Sequence, residues 1–232
     1  MIPFRDNIPS RSFPFITISL IIVNILVFLY ELTLGRALEP FMMEYGVVPA
    51  AVYAWPQSHA PLLAIAVPFL TSMFLHAGWL HVIGNMWYLW IFGDNVEDRL
   101  GHFTFLIFYL LCGLGAGIVH TILNANTVIP SVGASGAIAG VLGAYLVSYP
   151  FARVLTLVPI FVFIQVIEIP ALIVLGFWFL MQFLNGTASL AMTSASEGGV
   201  AWWAHVGGFV IGMMLVGLFP RKDRHYGYYS RA

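Results

Sequence analysis

The chain has 232 residues, of which 60% are hydrophobic and only 8% are charged, and its formal net charge is −1. A soluble domain carries about a quarter of charged residues, so the composition excludes an ordinary soluble fold and indicates a polytopic membrane protein. The small net charge argues against a nucleic-acid partner, and the single cysteine, Cys112, excludes an intramolecular disulfide.

The N-terminal residues 1–14 are too polar and too rich in proline for a secretory signal peptide, so we expect a short cytoplasmic tail. Six apolar runs follow, and about 20 apolar residues cross a bilayer core of ~30 Å. They lie at 15–34, 68–92, 102–123, 135–149, 167–186 and 200–219. The sequence therefore predicts an all-α fold, a six-transmembrane-helix bundle in one domain over 15–219, with a cytoplasmic tail at 220–232.

Three connections interrupt these runs. Residues 35–64 are broken by proline and charge, and we expect an interfacial loop with short amphipathic pieces. The stretch 93–101, GDNVEDRLG, predicts a loop ordered by an ion pair between Glu97 and Arg99. Residues 151–170 are apolar but contain two prolines, which favours a loop returning to the membrane surface.

The basic residues indicate the orientation, because Lys and Arg are retained on the cytoplasmic side of a membrane. Eight of them fall on one side of the predicted spans, and only Arg36 falls on the other. The eight are Arg5, Arg11, Arg99, Arg153, Arg221, Lys222, Arg224 and Arg231. Both termini are then cytoplasmic, and spans two, four and six all run from the outer to the inner face.

Polar side chains inside apolar spans are costly and usually mark function. His81 and Asn85 in span two are four residues apart, so they share one helical face, and His76 precedes them. Ser135 opens span four, and His205 lies early in span six. Since the three spans enter from the same side, these residues are expected to meet at one depth in the outer part of the membrane.

Span four also gives a depth for its serine. From Ser135 to Pro150 the helix is about 22 Å long at 1.5 Å per residue, which is shorter than the bilayer core of ~30 Å. We therefore expect Ser135 to be recessed below the outer surface. A serine at a helix N-terminus also experiences the positive end of the helix dipole, which favours an alkoxide or an oxyanion.

Small residues indicate which spans touch, because rows of them at a spacing of four let helix backbones approach closely. Such rows occur in spans four and six. The glycines that form them are Gly136, Gly140, Gly208 and Gly212. We expect the helix that carries the serine to pack directly against the helix that carries His205.

Other interpretations of these residues stay open. The stretch GASGA is compatible with helix packing alone, and it is not the G-x-S-x-G nucleophile elbow, because Ala137 stands at the second position after the serine. A metal or haem protein would instead use His76, His81 and His205 as ligands. The remaining histidines have no comparable neighbours, and structural or surface roles are expected for them: His59, His102, His120 and His225.

Three motifs carry a resemblance to a known family: HAGWLHVIGNMWYLW in span two, GASGAIAG in span four and AHVGGFVIG in span six. In this order the chain resembles the rhomboid family of intramembrane serine proteases, from its first span through its sixth. The resemblance implies a Ser-His dyad without an aspartate, with Ser135 as nucleophile and His205 as general base. It also implies that His81 and Asn85 are oxyanion donors and that His76 supports the long first loop.

One departure concerns the base. The family often has an aromatic residue four positions after the serine, stacked on the histidine, whereas this chain has Ala139. No acidic residue lies in the outer halves of spans two, four or six, so His205 must be oriented by packing and by other hydrogen bonds. The aromatic stretch 177–183, FWFLMQF, is either a lateral gate or plain lipid-facing packing.

These residues and the resemblance together predict a serine endopeptidase that cleaves transmembrane protein substrates near the outer face of the membrane. We expect no cofactor, no metal and no nucleic acid, with the lipid bilayer and the substrates as partners, and the oligomeric state stays open. The alternative is a non-catalytic rhomboid-like protein that binds membrane clients. A compact six-span chain indicates a prokaryotic cytoplasmic membrane, and an organelle membrane is the alternative.

Overall fold

The computed structural model describes residues 1–160, 163–191 and 200–219, and the chain is mostly helical there. The helices in this part are α1 (Phe15–Thr33), α2 (Leu38–Tyr45), α3 (Pro49–Ser58), α4 (Leu63–Thr71), α5 (Trp79–Leu100), α6 (His102–Leu123), α7 (Ser135–Ser148), α8 (Ala171–Ala191) and α9 (Trp202–Leu218). The predicted helical membrane fold is confirmed. The tail predicted at 220–232, with His225, lies outside the described residues.

Three of the described helices are long and apolar enough to cross a membrane on their own: α1, α6 and Ala171–Leu190 of α8. A fourth candidate is the pair Leu63–Phe74 and Trp79–Leu100, which is bent by 78°. The helices that begin at Ser135 and Trp202 are apolar but shorter. The number of six spans therefore stays a prediction, while several apolar helices of spanning length are present.

Span two differs from its prediction at both ends. The expected continuous helix over 68–92 is broken after Thr71 by a 3₁₀ turn at Ser72–Phe74, and α5 starts only at Trp79. The predicted loop at 93–101 is wrong over most of its length, since 93–100 form the last turns of α5. Two of its acidic residues are compatible with a helix because groups at or just before the start of α1 donate hydrogen bonds to them: Glu97 and Asp98.

Glu97 is the clearest example of a polar residue that is satisfied in this way. One carboxylate oxygen accepts the backbone N–H of Ile16 at 2.9 Å, and the other accepts the N–H and hydroxyl of Thr17 at 2.8 and 2.7 Å. Nδ1 of His102 lies 2.5 Å from the same carboxylate. A carboxylate at a helix N-terminus satisfies free amides and complements the dipole, so Glu97 anchors the start of α1 rather than ordering a loop.

A three-stranded antiparallel sheet replaces the loop expected at 151–170. Strands β2 (Arg153–Ile160) and β3 (Phe163–Pro170) form a hairpin, and β1 (Ile2–Asp6) pairs with β2. Valine, isoleucine, threonine and phenylalanine favour strands, and the prolines lie at the strand ends or near the turn. The segment predicted as a short N-terminal tail thus contributes β1 to the fold.

The long first connection fixes the chain that leads into α7. Val47, between α2 and α3, forms two backbone hydrogen bonds with Ser131, at 3.1 and 2.7 Å. The N–H of Gly133 donates to the carbonyl of Ser72 at 2.8 Å. These bonds fix residues 131–133, which lead directly into α7. The first connection and the link after α4 therefore both help to position Ser135.

Helix α7 lies in the centre of the bundle, and all of its residues from 136 to 145 are buried. It packs against α9 without intervening side chains, because a Cβ on Gly208 would lie 2.0 Å from the carbonyl oxygen of Gly136. On another face of α7, a Cβ on Gly140 would lie 2.4 Å from Cβ of Cys112 in α6. Glycine at these positions allows both contacts.

Candidate active site

The side chains of Ser135 and His205 form a hydrogen bond, with 2.7 Å between the serine Oγ and the histidine Nε2. Ser135 is the first residue of α7, and His205 lies one turn into α9. The close backbone packing of the two helices brings these side chains together. The imidazole is 8% exposed, so water competes little for this contact.

Two residues that the sequence motifs do not contain hold the imidazole. Nδ1 of His205 lies 2.8 Å from Oε1 of Gln182 on α8. The indole of Trp178, one turn earlier on α8, lies 5.8 Å from the imidazole with an interplanar angle of 35°. In the sequence of α8, Gln182 is the first amide or charged side chain after an apolar run. This polar residue within an apolar helix was the one sequence feature that could have indicated a functional role. Its partner could not be inferred without the helix packing.

His81 presents one ring nitrogen to the same place. Its Nδ1 accepts the backbone N–H of Ala77 at 3.4 Å, which assigns the proton to Nε2. Gly133 has a φ of +127°, and a Cβ there would lie 2.6 Å from this Nε2 and 3.5 Å from Oγ of Ser135. Glycine at this position therefore keeps the space between the His81 donor and the serine open.

Two further hydrogen-bond donors beside the side chains of Ser135 and His81 lack an acceptor among the described residues. Nδ2 of Asn85 is buried and has no hydrogen-bond partner among the described residues. The backbone N–H of Ser135 opens a helix, where amides have no intrahelical acceptor; the first bond of α7 runs from the N–H of Ile138 to the carbonyl of Ala134. A buried donor without an acceptor is costly, which suits a site that receives an oxygen from elsewhere.

His76 lies in the link before α5, not on the helix with His81 and Asn85. It is 1% exposed, and its backbone N–H faces the carboxylate of Glu31 on α1, at 3.2 and 3.3 Å from the two oxygens. Its ring contacts that of His81 with 5.1 Å between centroids. His76 thus lies behind His81 and connects it to α1.

A cavity of about 630 Å³ joins these groups. The polar side chains that line it include His81, Asn85, Ser135, Gln182 and His205. Its apolar wall includes Leu80, Tyr88, Ile138, Leu142, Trp178 and Trp202. The residues predicted to converge therefore share one cavity, apart from His76.

The described residues contain no group of three His, Cys, Asp or Glu side chains that could hold a metal ion. Nε2 of His205 is directed at Ser135, and His76 and His81 have no third ligand beside them. Among the other histidines, His102 bonds Glu97, and His120 contacts Asn124 at 3.3 Å. Among the described residues, the three histidines considered as metal ligands therefore form no such group.

The aromatic stretch 177–183 divides between two environments. Phe177 and Leu180 are exposed on the outside of α8, as expected for lipid contact, whereas Trp178 and Gln182 line the cavity. The stretch is therefore both lipid-facing surface and cavity wall. Its proposed movement as a gate stays a prediction.

Comparison with known proteins finds that the family model for the Rhomboid domain matches residues 65–222, more than half of the chain. Over 163 residues the chain is 30% identical to Rhomboid-like protein 11, chloroplastic, of Arabidopsis thaliana, covering 66% of this chain and 52% of that protein. It is 29% identical over 161 residues to Presenilin-associated rhomboid-like protein A, mitochondrial, of Danio rerio, covering 65% and 37%.

A bacterial relative is also similar. The chain is 29% identical over 143 residues to Rhomboid protease GluP of Bacillus subtilis, covering 62% of this chain and 25% of that protein. The matches thus extend over a quarter to about half of the length of these curated relatives. Because the relatives come from a bacterium and from organelles of eukaryotes, their names do not assign this chain to one compartment.

Proposed function

The chain belongs to the rhomboid family, and on this premise we propose that it is an intramembrane serine endopeptidase. Its substrates are transmembrane proteins, which it cleaves by a Ser-His dyad near the outer face of the membrane. The observation that carries the proposal is the 2.7 Å hydrogen bond between Ser135 and His205, in a cavity that further polar side chains line inside an apolar bundle. A family member named as a protease, GluP, is consistent with this activity.

In the proposed first step, Oγ of Ser135 attacks the carbonyl carbon of the scissile peptide bond, and Nε2 of His205 takes the hydroxyl proton. A serine hydroxyl is a weak nucleophile until such a base is within hydrogen-bond reach. The resulting imidazolium then gives its proton to the leaving amine. Water, activated by the same histidine, hydrolyses the acyl-enzyme and regenerates both side chains.

The negative charge that develops on the carbonyl oxygen needs donors in the cavity. We assign this role to Nε2–H of His81, Nδ2 of Asn85 and the backbone N–H of Ser135. Each such donor contributes about 3 to 4 kcal/mol of transition-state stabilisation in known hydrolases. The lack of any other partner for the Asn85 amide among the described residues supports this assignment.

The class of substrate follows from where the cavity lies. A helix hydrogen-bonds its own backbone within a bilayer, so a transmembrane substrate can present its scissile bond only where it unwinds. We therefore propose cleavage near the outer ends of spans, with a preference for helix-weakening residues. The distribution of basic residues supports cytoplasmic termini, and with that orientation the proposed cavity mouth faces the outer side.

The alternative is a rhomboid-like protein that binds clients without cleaving them. Such a protein has no need of a nucleophile and a base in contact, and this chain retains both. Labelling with a fluorophosphonate probe separates the two possibilities, because only an activated serine reacts. Labelling that is abolished by Ser135→Ala is the expected result.

The test of the proposal is cleavage of a fluorogenic transmembrane substrate by purified protein in detergent. Ser135→Ala and His205→Ala are each expected to abolish cleavage. Ser148→Ala, at the other end of α7, and His59→Ala, at an exposed site, are the matched controls and are expected to retain it. Cleavage retained by either dyad variant, while the variant remains folded, contradicts the dyad.

A further inference from the structure

We infer that Gln182 is a positioning residue whose side-chain carbonyl holds His205 in the tautomer that can accept the proton of Ser135. The inference rests on the proposed protease function and deepens it by naming the group that orients the base. Gln182 lies on α8, outside the three sequence motifs, which belong to α5, α7 and α9. The two ring nitrogens of His205 have different partners, Gln182 at Nδ1 and Ser135 at Nε2.

An amide oxygen can only accept a hydrogen bond. With Oε1 of Gln182 at 2.8 Å from Nδ1 of His205, the proton of the neutral imidazole resides on Nδ1. Nε2 then carries the lone pair, and it lies 2.7 Å from Oγ of Ser135. This is the arrangement in which the serine donates to the base; the opposite tautomer would direct an N–H at the serine and could not remove its proton.

Burial explains why this contact matters and why an amide supplies it. Gln182 and His205 are each only 8% exposed, so either group would lose a hydrogen-bond partner if the other were removed. A carboxylate in the same place would be a charge buried within the membrane region, which is costly. The neutral amide fixes the ring and still stabilises the imidazolium through its carbonyl dipole.

Helix α8 also fixes the plane of the ring. Trp178, four residues before Gln182 and therefore on the same face, lies beside the imidazole. The edge of Trp202 closes another side, with centroids 6.4 Å apart and the planes at 89°. Ala139, one turn after Ser135 on α7, is fully buried and has no ring to contribute. Orientation of the base therefore comes from α8 and α9.

Helix α8 is itself attached to α9 by aromatic contacts that keep Gln182 in reach. Phe179 and Phe209 have ring centroids 4.8 Å apart, and Phe183 and Trp203 have centroids 5.9 Å apart. These contacts lie on either side of Gln182 along α8. The amide is thus held against α9 by packing that does not depend on the hydrogen bond.

The test compares Gln182→Met with Gln182→Glu. Met has a similar length but no carbonyl, whereas Glu restores an acceptor oxygen at the same position. In Ser-His-Asp hydrolases, imposing the wrong tautomer lowers kcat by about 10⁴; Met leaves the ring free to choose, so we expect a smaller loss of about 10- to 100-fold in kcat. KM is expected to change little, and Gln182→Glu is expected to recover part of the loss.

The tautomer itself is read by ¹⁵N NMR of histidine-labelled protein, with His205→Ala used to assign the signals of His205. The wild-type ring is expected in the Nδ1–H form, and Gln182→Met is expected to populate the Nε2–H form. Asn185→Leu, which removes the other amide of α8, is the matched control and is expected to alter neither the tautomer nor kcat.

The inference and the proposed function fail in different ways. If the wild-type chain cleaves, both dyad variants are inactive and Gln182→Met retains the wild-type kcat, only the role of Gln182 is wrong. If Gln182→Met does not fold, a wild-type His205 in the Nε2–H form overturns the inference, and the Nδ1–H form supports it. If wild-type protein neither cleaves nor reacts with the probe, the proposed function is wrong.

Discussion

A Cβ atom on Gly212 would lie 2.0 Å from the carbonyl oxygen of Gly140, so helices α9 and α7 touch backbone to backbone at this point. The same relationship recurs one turn away, between Gly208 and Gly136. Ser135 and His205 lie at one end of this contact: Ser135 directly precedes Gly136, and His205 lies one turn before Gly208. The separation of the dyad is therefore set by glycine packing.

Gly212→Ala is expected to lower the stability of the fold by about 1 to 3 kcal/mol, because the added methyl group forces the two helices apart. Gly217→Ala lies on the same helix with nothing within 4 Å of the added Cβ. It is expected to leave stability unchanged or to raise it by up to about 1 kcal/mol, through helix propensity.

The reactivity of Cys112 measures the stability of Gly212→Ala and Gly217→Ala. Cys112 is the single cysteine of the chain and is fully buried, so a thiol-reactive fluorophore reports the thermal unfolding of each variant in detergent. The expected order of midpoints is Gly212→Ala below wild type, and Gly217→Ala at or above it. Equal midpoints for the two variants would contradict the packing argument.

The sequence predicted the parts of this site that depend on local pattern. Apolar runs predicted helices, and the positions of Ser135 and His205 near helix starts predicted that they could meet. The glycine rows at a spacing of four predicted the α7–α9 contact, although Gly136 and Gly140 also make room for Ala116 and Cys112 of α6. The spacing of small residues identifies the helix face that allows close packing, but not how many neighbouring helices pack against it.

The parts that failed depend on pairing between distant segments. Strand β1 forms because residues 2–6 pair with residues 154–157. The local sequence of either segment does not indicate that the other is its partner. The sequence suggested Arg99 as the partner of Glu97 and did not reveal the contacts of Glu97 with Ile16 and Thr17, which are about 80 residues away. Gln182 was not singled out from the stretch 177–183, because its contact with His205 depends on how α8 packs against α9.

Asn85→Ala is expected to lower kcat by about 10²- to 10³-fold with little change in KM, because it removes a donor used only when the oxyanion forms. The buried, unpartnered Nδ2 of Asn85 is the structural reason. Asn124→Ala is a control, since that amide contacts His120 at the end of α6, away from the cavity. A KM effect without a kcat effect would assign Asn85 to substrate binding instead.

Glu97→Gln is expected to destabilise the start of α1, since it removes a charge that faces two backbone amides and the hydroxyl of Thr17. Hydrogen bonds to charged groups contribute about 1.5 to 3 kcal/mol each, and Gln keeps one acceptor, so a net loss of about 1 to 3 kcal/mol is expected.

Amide hydrogen exchange should localise the effect of Glu97→Gln to the first turn of α1, alongside a lower thermal midpoint. Glu39→Gln is the matched control, because Glu39 is an exposed carboxylate in the first turn of α2. If both variants lower the midpoint equally, the effect belongs to the loss of one negative charge and not to the contacts at α1.

Asp6 connects the sheet to the bundle, since its carboxylate accepts a hydrogen bond from the hydroxyl of Tyr145 on α7. Burial raises the pKa of Asp6 to about 6; the nearby charge of Asp94 raises it further, and the Tyr145 hydrogen bond opposes the shift. A carboxyl with a raised pKa in the folded state binds its proton more tightly there than in the unfolded chain. Its contribution to stability is therefore complete below pH 4 and is lost as pH rises through about 6.

Asp6→Asn is neutral at every pH and is expected to be more stable than wild type at pH 7 to 8. The difference should shrink as the pH falls towards 4, where the wild-type carboxyl is protonated. Allowing for solvent screening of this partly exposed side chain, we expect about 1 kcal/mol at pH 8, or about 2 to 4 °C in midpoint. Tryptophan fluorescence during heating measures it across the range, and Glu168→Gln, an exposed carboxylate of the same sheet, controls for lost charge. Parallel stability curves for wild type and Asp6→Asn from pH 4 to 8 would show that the titration of Asp6 does not affect the stability of the fold.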